Sequence, residues 1–225
     1  MHASTRATAL SKYSSLRLLP AIVMATALTG SLPAAPVDDA ADEIKNFGQV
    51  SPNYYRGGQP DRAGFYTLKR LGVKTVINLR QDAERDEPAL VRETKMAYFN
   101  IPLTTGRPAT AEQTDYFLKL VNDPANLPVY VHCAGGKHRA GEMTAIYRIT
   151  HDSWSADQAY REMQRYKFDT FPFHSSLKNY VYRYYDMFQQ SLMAGTRSTA
   201  PGTTSPVDSA AAPAAAGTAL GGGRK

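Results

Sequence analysis

The sequence predicts an α/β fold in which a mostly parallel central sheet of about four to five strands is flanked by helices. Short runs rich in β-branched and aromatic residues alternate with longer segments of helical periodicity. Two Ser/Thr-x-x-Gln patterns, beginning at Thr110 and Ser155, are typical of helix starts. Strands that alternate with helices usually pair in parallel, because each crossover helix returns the chain to the same end of the sheet.

The predicted elements follow one another in chain order. Strands are expected at residues 54–56, 74–79, 98–101 and 128–132. Helices are expected at residues 61–71, 87–95, 140–150, 155–166 and 175–192, and another begins after Thr110. The strand at 128–132 is short and almost entirely apolar, which favours a central position in the sheet.

The chain is predicted to hold one domain, residues 38–195, between two segments of different composition. In residues 1–35, basic residues up to Arg17 precede the apolar run 18–28 and then small residues, a pattern typical of a signal peptide. That run is short for a membrane span. We therefore expect an exported protein, periplasmic or secreted, that touches a membrane only if this segment stays uncleaved. Residues 196–225, rich in Ala, Gly, Thr, Ser and Pro, are expected to be a disordered tail.

Charge and cysteine content exclude several classes of function. The net charge is +6. Residues 1–37 contribute +3 and residues 196–225 contribute +2, which leaves 6 − 3 − 2 = +1 for residues 38–195. We expect no nucleic-acid partner, because the domain is nearly neutral and lacks a nucleic-acid motif. The single cysteine excludes an intramolecular disulfide and a cysteine-rich zinc site.

That cysteine, Cys133, directly follows the predicted strand 128–132 and precedes a glycine-containing loop and a helix. Ligands of α/β sheets bind at the carboxyl ends of the strands. Five residues separate Cys133 from Arg139, and a loop of this length can curl until its N–H groups converge above the sulfur. Gly135 and Gly136 permit the dihedrals that such a curl needs. The sequence therefore predicts a cradle for a phosphate-like anion.

The same residue types predict the chemistry. The amides, the helix N-terminus, Lys137 and Arg139 would stabilise a Cys133 thiolate, which could attack phosphorus and form a cysteinyl phosphate. Arg139 would hold two phosphate oxygens in the transition state. The predicted catalytic residues are thus Cys133 and Arg139. The predicted substrate-binding residues are Ala134, Gly135, Gly136, Lys137, His138 and Arg139, and we expect no metal or cofactor.

The run Val131-His132-Cys133-x-x-Gly136-x-x-Arg139-x-Gly141 resembles the signature of the protein tyrosine and dual-specificity phosphatases. The tetrad from Gly136 to Arg139 resembles, more narrowly, the atypical dual-specificity phosphatases of plants and fungi and their bacterial relatives. Segments 55–60, 76–80 and 145–148 extend the resemblance over most of residues 47–190. It implies the three-layer fold of this superfamily and a phosphorylated substrate, which in this group is a phosphotyrosine protein, a phosphoinositide or an inositol pyrophosphate.

Two positions depart from the pattern of this family. Ala140 stands where the family usually has Ser or Thr, whose hydroxyl helps the thiolate to leave, so we expect slow breakdown of the phosphocysteine. The loop at 104–108 lacks the aspartate that usually protonates the leaving oxygen. Possible substitutes, each more typical of a surface charge or a helix start, are Asp82, Asp86, Glu87, Glu112 and Asp115. A missing acid matters least for a weakly basic leaving group, which favours an anhydride.

Three alternatives remain open from the sequence. A lone cysteine is often only a small buried hydrophobe. A sulfurtransferase or an arsenate reductase can share the Cys-x5-Arg spacing, although the reductases need further cysteines. A phosphate-binding pseudophosphatase would fit Ala140 and the missing acid.

Other conspicuous side chains are predicted to be structural. His132 would orient the loop through hydrogen bonds, and Arg56 and Arg80 would form ordinary ion pairs. Surface or packing roles are expected for His151, His174, Trp154 and the tyrosines at 180, 182, 184 and 185. Met143, Met163 and Met187 are expected to fill the core.

Overall fold

A five-stranded sheet forms the centre of the computed structural model, which describes residues 37–170 and 174–198. The strands are β1 (Gly48–Ser51), β2 (Tyr54–Gly57), β3 (Thr75–Arg80), β4 (Ala97–Leu103) and β5 (Val129–His132). Their order across the sheet is β1-β2-β5-β3-β4. Only β1 is antiparallel, to β2, and the other pairs are parallel. The predicted α/β class and mostly parallel sheet are confirmed.

Seven α-helices accompany the sheet in the described residues. They are α1 (Val37–Glu43), α2 (Arg62–Arg70), α3 (Glu87–Glu93), α4 (Ala111–Asn122), α5 (Arg139–His151), α6 (Ala156–Arg165) and α7 (Ser175–Ser198), and a 3-10 turn spans Pro124–Asn126. Both predicted capping boxes are present. Thr110 accepts from the Gln113 amide while Gln113 accepts from the Thr110 amide, and Ser155 and Gln158 repeat this arrangement.

Two elements were not predicted, and the end of α7 differs from the prediction by several residues. Helix α1 and strand β1 were not predicted, because both are short and β1 is held by pairing with β2 rather than by a strong pattern of its own. Helix α7 ends at Ser198 rather than near residue 192, so the first three residues of the predicted tail are helical. Its later residues are small and polar, and the apolar period that marks the buried part of the helix fades there.

The apolar core lies on both faces of the sheet. All four residues of β5 are buried, as a central strand requires. One cluster packs β3, β4 and β5 against α4 and α5, and a second packs the other face against α1, α2 and α3. Met143 and Met163 are buried as expected, but Met187 is 53% exposed, so its predicted core role was wrong.

The predicted signal peptide, residues 1–35, and most of the predicted tail lie outside the described residues. Among the helices that are described, none is both long and apolar enough to cross a bilayer.

Candidate active site

Cys133 lies immediately after β5, at the carboxyl end of the central strand, and its side chain is 3% exposed. The segment 133–139, here called the signature loop, connects β5 to the first residue of α5. It borders a cavity of about 440 Å³. The lining residues are Lys45, Thr105, Cys133, Ala134, Gly135, Lys137, His138 and Arg139. Every predicted site residue therefore lines the cavity except Gly136, which lies on the side of the loop that faces away from it.

Three successive carbonyl groups of the signature loop point away from the cavity. The Ala134 carbonyl accepts from the Gln59 amide at 3.2 Å. The Gly135 and Gly136 carbonyls accept from Asn46 Nδ2 at 3.4 and 2.9 Å. In a trans peptide unit the N–H points opposite to the C=O. The amides of residues 135, 136 and 137 are therefore directed to the inner side of the loop, where they can bind an anion.

Gly136 is required by both conformation and space. Its φ is +67°, in the left-handed region that favours glycine. A Cβ at this position would lie 2.5 Å from the carbonyl carbon of Gly57 and 2.7 Å from the amide nitrogen of Gly58. The curl of the loop thus depends on close approach to the end of β2. Gly135 has no such need, because the nearest atom to an added Cβ would be 3.8 Å away.

Arg56 contacts the signature loop, rather than forming the ordinary ion pair that the sequence favours. It is fully buried, and its Nη2 donates to the Gly136 carbonyl at 2.5 Å. Its guanidinium also stacks 4.1 Å from the ring centre of Tyr166, and burial lowers its pKa. Arg56 is therefore a support of the signature loop rather than the ordinary ion pair that was predicted. Arg80, by contrast, forms the expected ion pairs with Asp82 and Glu84.

Arg139 is the first residue of α5 and is almost buried, with 7% of the residue exposed. Its Nη1 donates to the Leu103 carbonyl at 3.2 Å, at the end of β4. The same nitrogen lies 3.6 Å from Asp82 Oδ1. Because one guanidinium nitrogen is anchored in this way, the side chain is held at the cavity, and in the described part of the chain its other N–H groups are available to a ligand.

Positive charge surrounds the cavity although the domain as a whole is nearly neutral. Lys137 and Arg139 belong to the signature loop, and Lys45 enters from the segment between α1 and β1. Lys45 was not predicted, since nothing in the sequence connects it with a loop about 90 residues later. The helix α5 adds the partial positive charge of its N-terminus. These groups together favour an anion that carries more than one negative charge.

His138 lines the cavity and contacts a second histidine. Its ring stacks on that of His174, with ring centres 3.5 Å apart. Its Nε2 lies 3.4 Å from Asp169 Oδ2. Burial, followed by the neighbouring His174, lowers the pKa of His138. The prediction that His174 is a surface or packing residue is therefore confirmed, but nothing in the sequence indicates that it packs against a residue of the cavity.

Of the five candidate acids, Asp82 is the one that lies beside Arg139. It borders a smaller cavity with Gln81, Leu103, Thr104, Thr105 and Arg139. Hydrogen bonds from Arg80 lower the pKa of Asp82, so the group is a poor proton donor at neutral pH. Asp86, Glu112 and Asp115 are exposed, as expected.

Glu87 is the predicted helix-start residue, since it begins α3, but it is not a surface charge, because it is 1% exposed. Asn78 Nδ2 donates to its Oε2 at 2.5 Å, and its Oε1 lies 2.8 Å from His132 Nε2. The buried partner of His132 is therefore Glu87 of helix α3. The predicted hydrogen bonds from His132 to the signature loop are absent in the described residues, since its ring has no bond to a loop atom.

The first turn of α5 supplies no hydroxyl next to Arg139. Ala140 is fully buried, and its carbonyl accepts from the Thr144 hydroxyl at 2.6 Å. That hydroxyl is one turn further along the helix and also contacts the Tyr54 hydroxyl at 3.1 Å, so it is engaged elsewhere. Glu142 is buried as well, accepts from the Ala109 amide at 2.9 Å, and has its pKa raised to about 8 by desolvation.

Comparison with known proteins identifies the family. Residues 34–179 match the family model described as a DSP-PTPase phosphatase fused to NAD+ kinase. The dual specificity protein phosphatase TpbA of Pseudomonas aeruginosa (strain UCBPP-PA14) is 32% identical over 159 residues, which are 67% of this chain and 72% of that protein. Inositol diphosphatase DSP3 of Arabidopsis thaliana is 30% identical over 125 residues, or 53% of this chain and 61% of that protein.

A solved structure agrees with these matches. The crystal structure of a cysteine-to-serine variant of P. aeruginosa TpbA in complex with phosphotyrosine has a TM-score of 0.56 and 27% sequence identity. The match covers 67% of this chain and 90% of that chain. The resemblance read from the signature is thereby confirmed. This chain belongs to the DSP-PTPase family and is a phosphatase of the protein tyrosine and dual-specificity type.

Proposed function

We propose that the protein hydrolyses a phosphate ester or anhydride through a covalent phosphocysteine on Cys133. The observation that carries this proposal is the orientation of the signature loop. Three consecutive carbonyls accept from residues that do not line the cavity, which directs three amides toward the cavity that also contains the nearly buried sulfur. We expect these amides to bind a phosphoryl group against that sulfur.

The reaction has two steps. Cys133 Sγ, as the thiolate, forms a bond to phosphorus while the bond to the leaving oxygen breaks and that oxygen keeps the electron pair. A water oxygen then attacks phosphorus and gives one proton to the released phosphate or to solvent, while the S–P bond breaks and its electrons return to sulfur. Arg139 and the loop amides stabilise the charge of the phosphoryl oxygens in both transition states. Position 140 is an alanine, which has no hydroxyl to assist departure of the thiolate in the second step.

We propose a phosphoanhydride, such as an inositol pyrophosphate, as the preferred substrate class. A phosphate leaving group needs little protonation, and the one carboxylate beside Arg139 among the described residues, Asp82, has a lowered pKa. Lys45, Lys137 and His138 line the same cavity and suit a substrate with further phosphates. The related Arabidopsis protein is named an inositol diphosphatase, whereas the TpbA structure holds phosphotyrosine.

A substrate panel tests both parts of the proposal. Wild type and Cys133→Ser would be assayed for phosphate release from an inositol pyrophosphate, a phosphoinositide, a phosphotyrosine peptide and an aryl phosphate. We expect the highest kcat/KM for the pyrophosphate and no release by the variant. Equal release by Cys133→Ser would overturn the cysteine mechanism. Tight vanadate binding without turnover of any substrate would instead favour a binding protein.

We also propose that the protein is exported and that residues 1–35 are removed as a signal peptide. The support is the order of basic, apolar and small residues in the sequence. Cell fractionation, combined with N-terminal sequencing of the mature protein, tests this. A mature protein that begins at Met1 and stays in the cytoplasm would contradict it.

A further inference from the structure

Three side chains of metal-ligand type meet at the edge of the cavity, and the proposed reaction does not use them as a group. His138 belongs to the signature loop, Asp169 follows α6, and His174 precedes α7. His138 Nε2 lies 3.4 Å from Asp169 Oδ2, and His174 Nδ1 lies 3.3 Å from Asp169 Oδ1. One donor atom from each residue lies within 4.8 Å of the other two.

One of the two contacts is a hydrogen bond and the other is not. His174 Nδ1 and Asp169 Oδ1 form a hydrogen bond of 3.3 Å, slightly longer than the usual 2.7–3.2 Å, whereas the 3.4 Å contact of His138 Nε2 with Asp169 Oδ2 is not a hydrogen bond. In a tetrahedral zinc site with bonds of about 2.0–2.1 Å, neighbouring ligand atoms are about 3.3–3.4 Å apart, which the separation of His138 Nε2 from Asp169 Oδ2 matches. A second observation is independent of this match: His138 Nε2 is buried without a hydrogen-bond partner among the described residues. A buried imidazole nitrogen in that state costs free energy unless a ligand is bound.

We propose that His138, Asp169 and His174 bind a divalent transition-metal ion of the zinc type, each through one donor atom. Imidazole nitrogen and carboxylate oxygen form a donor set that suits Zn²⁺. Three protein ligands leave a fourth position for water or a phosphate oxygen. An ion there adds positive charge at the edge of the cavity that contains Cys133 and Arg139.

Binding of the ion requires one local movement. The rings of His138 and His174 are stacked with an angle of 18° between their planes. Each nitrogen lone pair lies in the plane of its ring, so two parallel rings cannot both point at one ion. His174, at the start of α7, must rotate out of the stack while His138 stays in the loop. The ion would then connect the signature loop to the segments on either side of residues 171–173.

The test uses the full chain with Cys133→Ser, which removes the thiol as a competing metal ligand and makes the result independent of phosphatase activity. Isothermal titration with Zn²⁺ is expected to show a site that is weakened at least about tenfold, or 1.4 kcal/mol, by Asp169→Asn and by His174→Ala. Co²⁺ bound at this site should show the strong visible absorption of four-coordinate geometry. Circular dichroism checks that each variant is folded.

His151→Ala is the matched control. His151 also contacts an aspartate, with Nδ1 2.9 Å from Asp152 Oδ1, but no third ligand-type side chain joins this exposed pair in the described clusters. We expect zinc affinity to be unchanged in this variant. Zinc binding that is absent, or that survives both Asp169→Asn and His174→Ala in folded protein, would overturn the proposal.

Discussion

Two loops border the same cavity and are held in different ways. The signature loop is fixed from behind by Asn46, Arg56 and the close approach of Gly136 to the end of β2. The loop at 104–108, by contrast, is largely exposed and carries no carboxylate. Among the described residues, buried polar contacts therefore support the signature loop, whereas the loop at 104–108 offers no carboxylate to donate a proton. We therefore expect most of the rate enhancement to come from electrostatic stabilisation of the transition state rather than from acid catalysis.

The largest expected effect comes from removing the support of the signature loop. Arg56→Leu deletes a buried, charge-assisted hydrogen bond to the Gly136 carbonyl, which is worth about 1.5–3 kcal/mol. We expect kcat/KM to fall about 10- to 100-fold and vanadate affinity to fall with it. Arg62→Leu is the control, since Arg62 is exposed and pairs with Glu93 far from the loop. Unchanged vanadate affinity in folded Arg56→Leu would show that the support is not needed.

The second effect concerns the step that follows phosphoryl transfer. Ala140→Thr introduces a hydroxyl next to Arg139, and Ala140→Val adds the same volume without one. If breakdown of the phosphocysteine limits turnover, wild type shows a burst in rapid-quench kinetics. The Thr variant should lose the burst and gain about tenfold in kcat, as expected for one added hydrogen bond. An equal change in the Thr and Val variants would indicate a packing effect, because Ala140 is fully buried.

A smaller effect on kcat is expected for substitution of Asp82, which borders the exposed loop at 104–108. Asp82 lies 3.6 Å from Arg139, but hydrogen bonds from Arg80 lower its pKa. We therefore expect Asp82→Asn to change kcat less than about threefold on an anhydride, whereas loss of a true general acid costs about 10²–10⁴. Measurement on an aryl phosphate as well separates the two cases. A large loss on both substrates would make Asp82 the acid and break the contrast between the loops.

Substitution of Glu142 is expected to have the smallest effect on turnover but a measurable effect on the free energy of unfolding. This buried carboxyl accepts from the Ala109 amide, and desolvation raises its pKa to about 8. Because the folded-state pKa lies above the unfolded value, its contribution to stability is full at low pH and is lost as pH rises toward 8. Between pH 6 and 8 this amounts to about 2–3 kcal/mol. Chemical denaturation should show that loss in wild type and not in Glu142→Gln; equal pH profiles would contradict it.

The sequence was a good guide where a local pattern determines structure. The two capping boxes correctly predicted the starts of α4 and α6. The apolar run at 128–132 predicted β5, and the Cys133-to-Arg139 spacing predicted the loop that follows it. The sequence was a poor guide where a contact with a residue distant in sequence determines the environment of a side chain. Arg56 was predicted to form an ordinary ion pair and Glu87 to be a surface charge or a helix start, because nothing near them in the sequence shows that one supports the loop and the other faces His132.

The same limit explains what was missed around the cavity. Lys45 and Asn46 come from the segment before β1, a strand too short to be recognised without its pairing to β2. Their arrival at the site follows from the sheet order rather than from their own residue types. The exposure of Met187 has a related cause, since helical spacing alone does not show where along α7 the packed part ends.

The outward-facing carbonyls have a consequence for the way the protein matures. Their partners, Asn46 and Arg56, are separated from Gly136 by 90 and 80 positions along the chain. Contacts between such distant residues close large loops, and they form late compared with local helices. A chain still emerging from the ribosome, or only partly refolded, therefore has its cysteine before it has its phosphate cradle. The appearance of vanadate binding during refolding would consequently show when the segment that contains Asn46 and Arg56 packs against the signature loop.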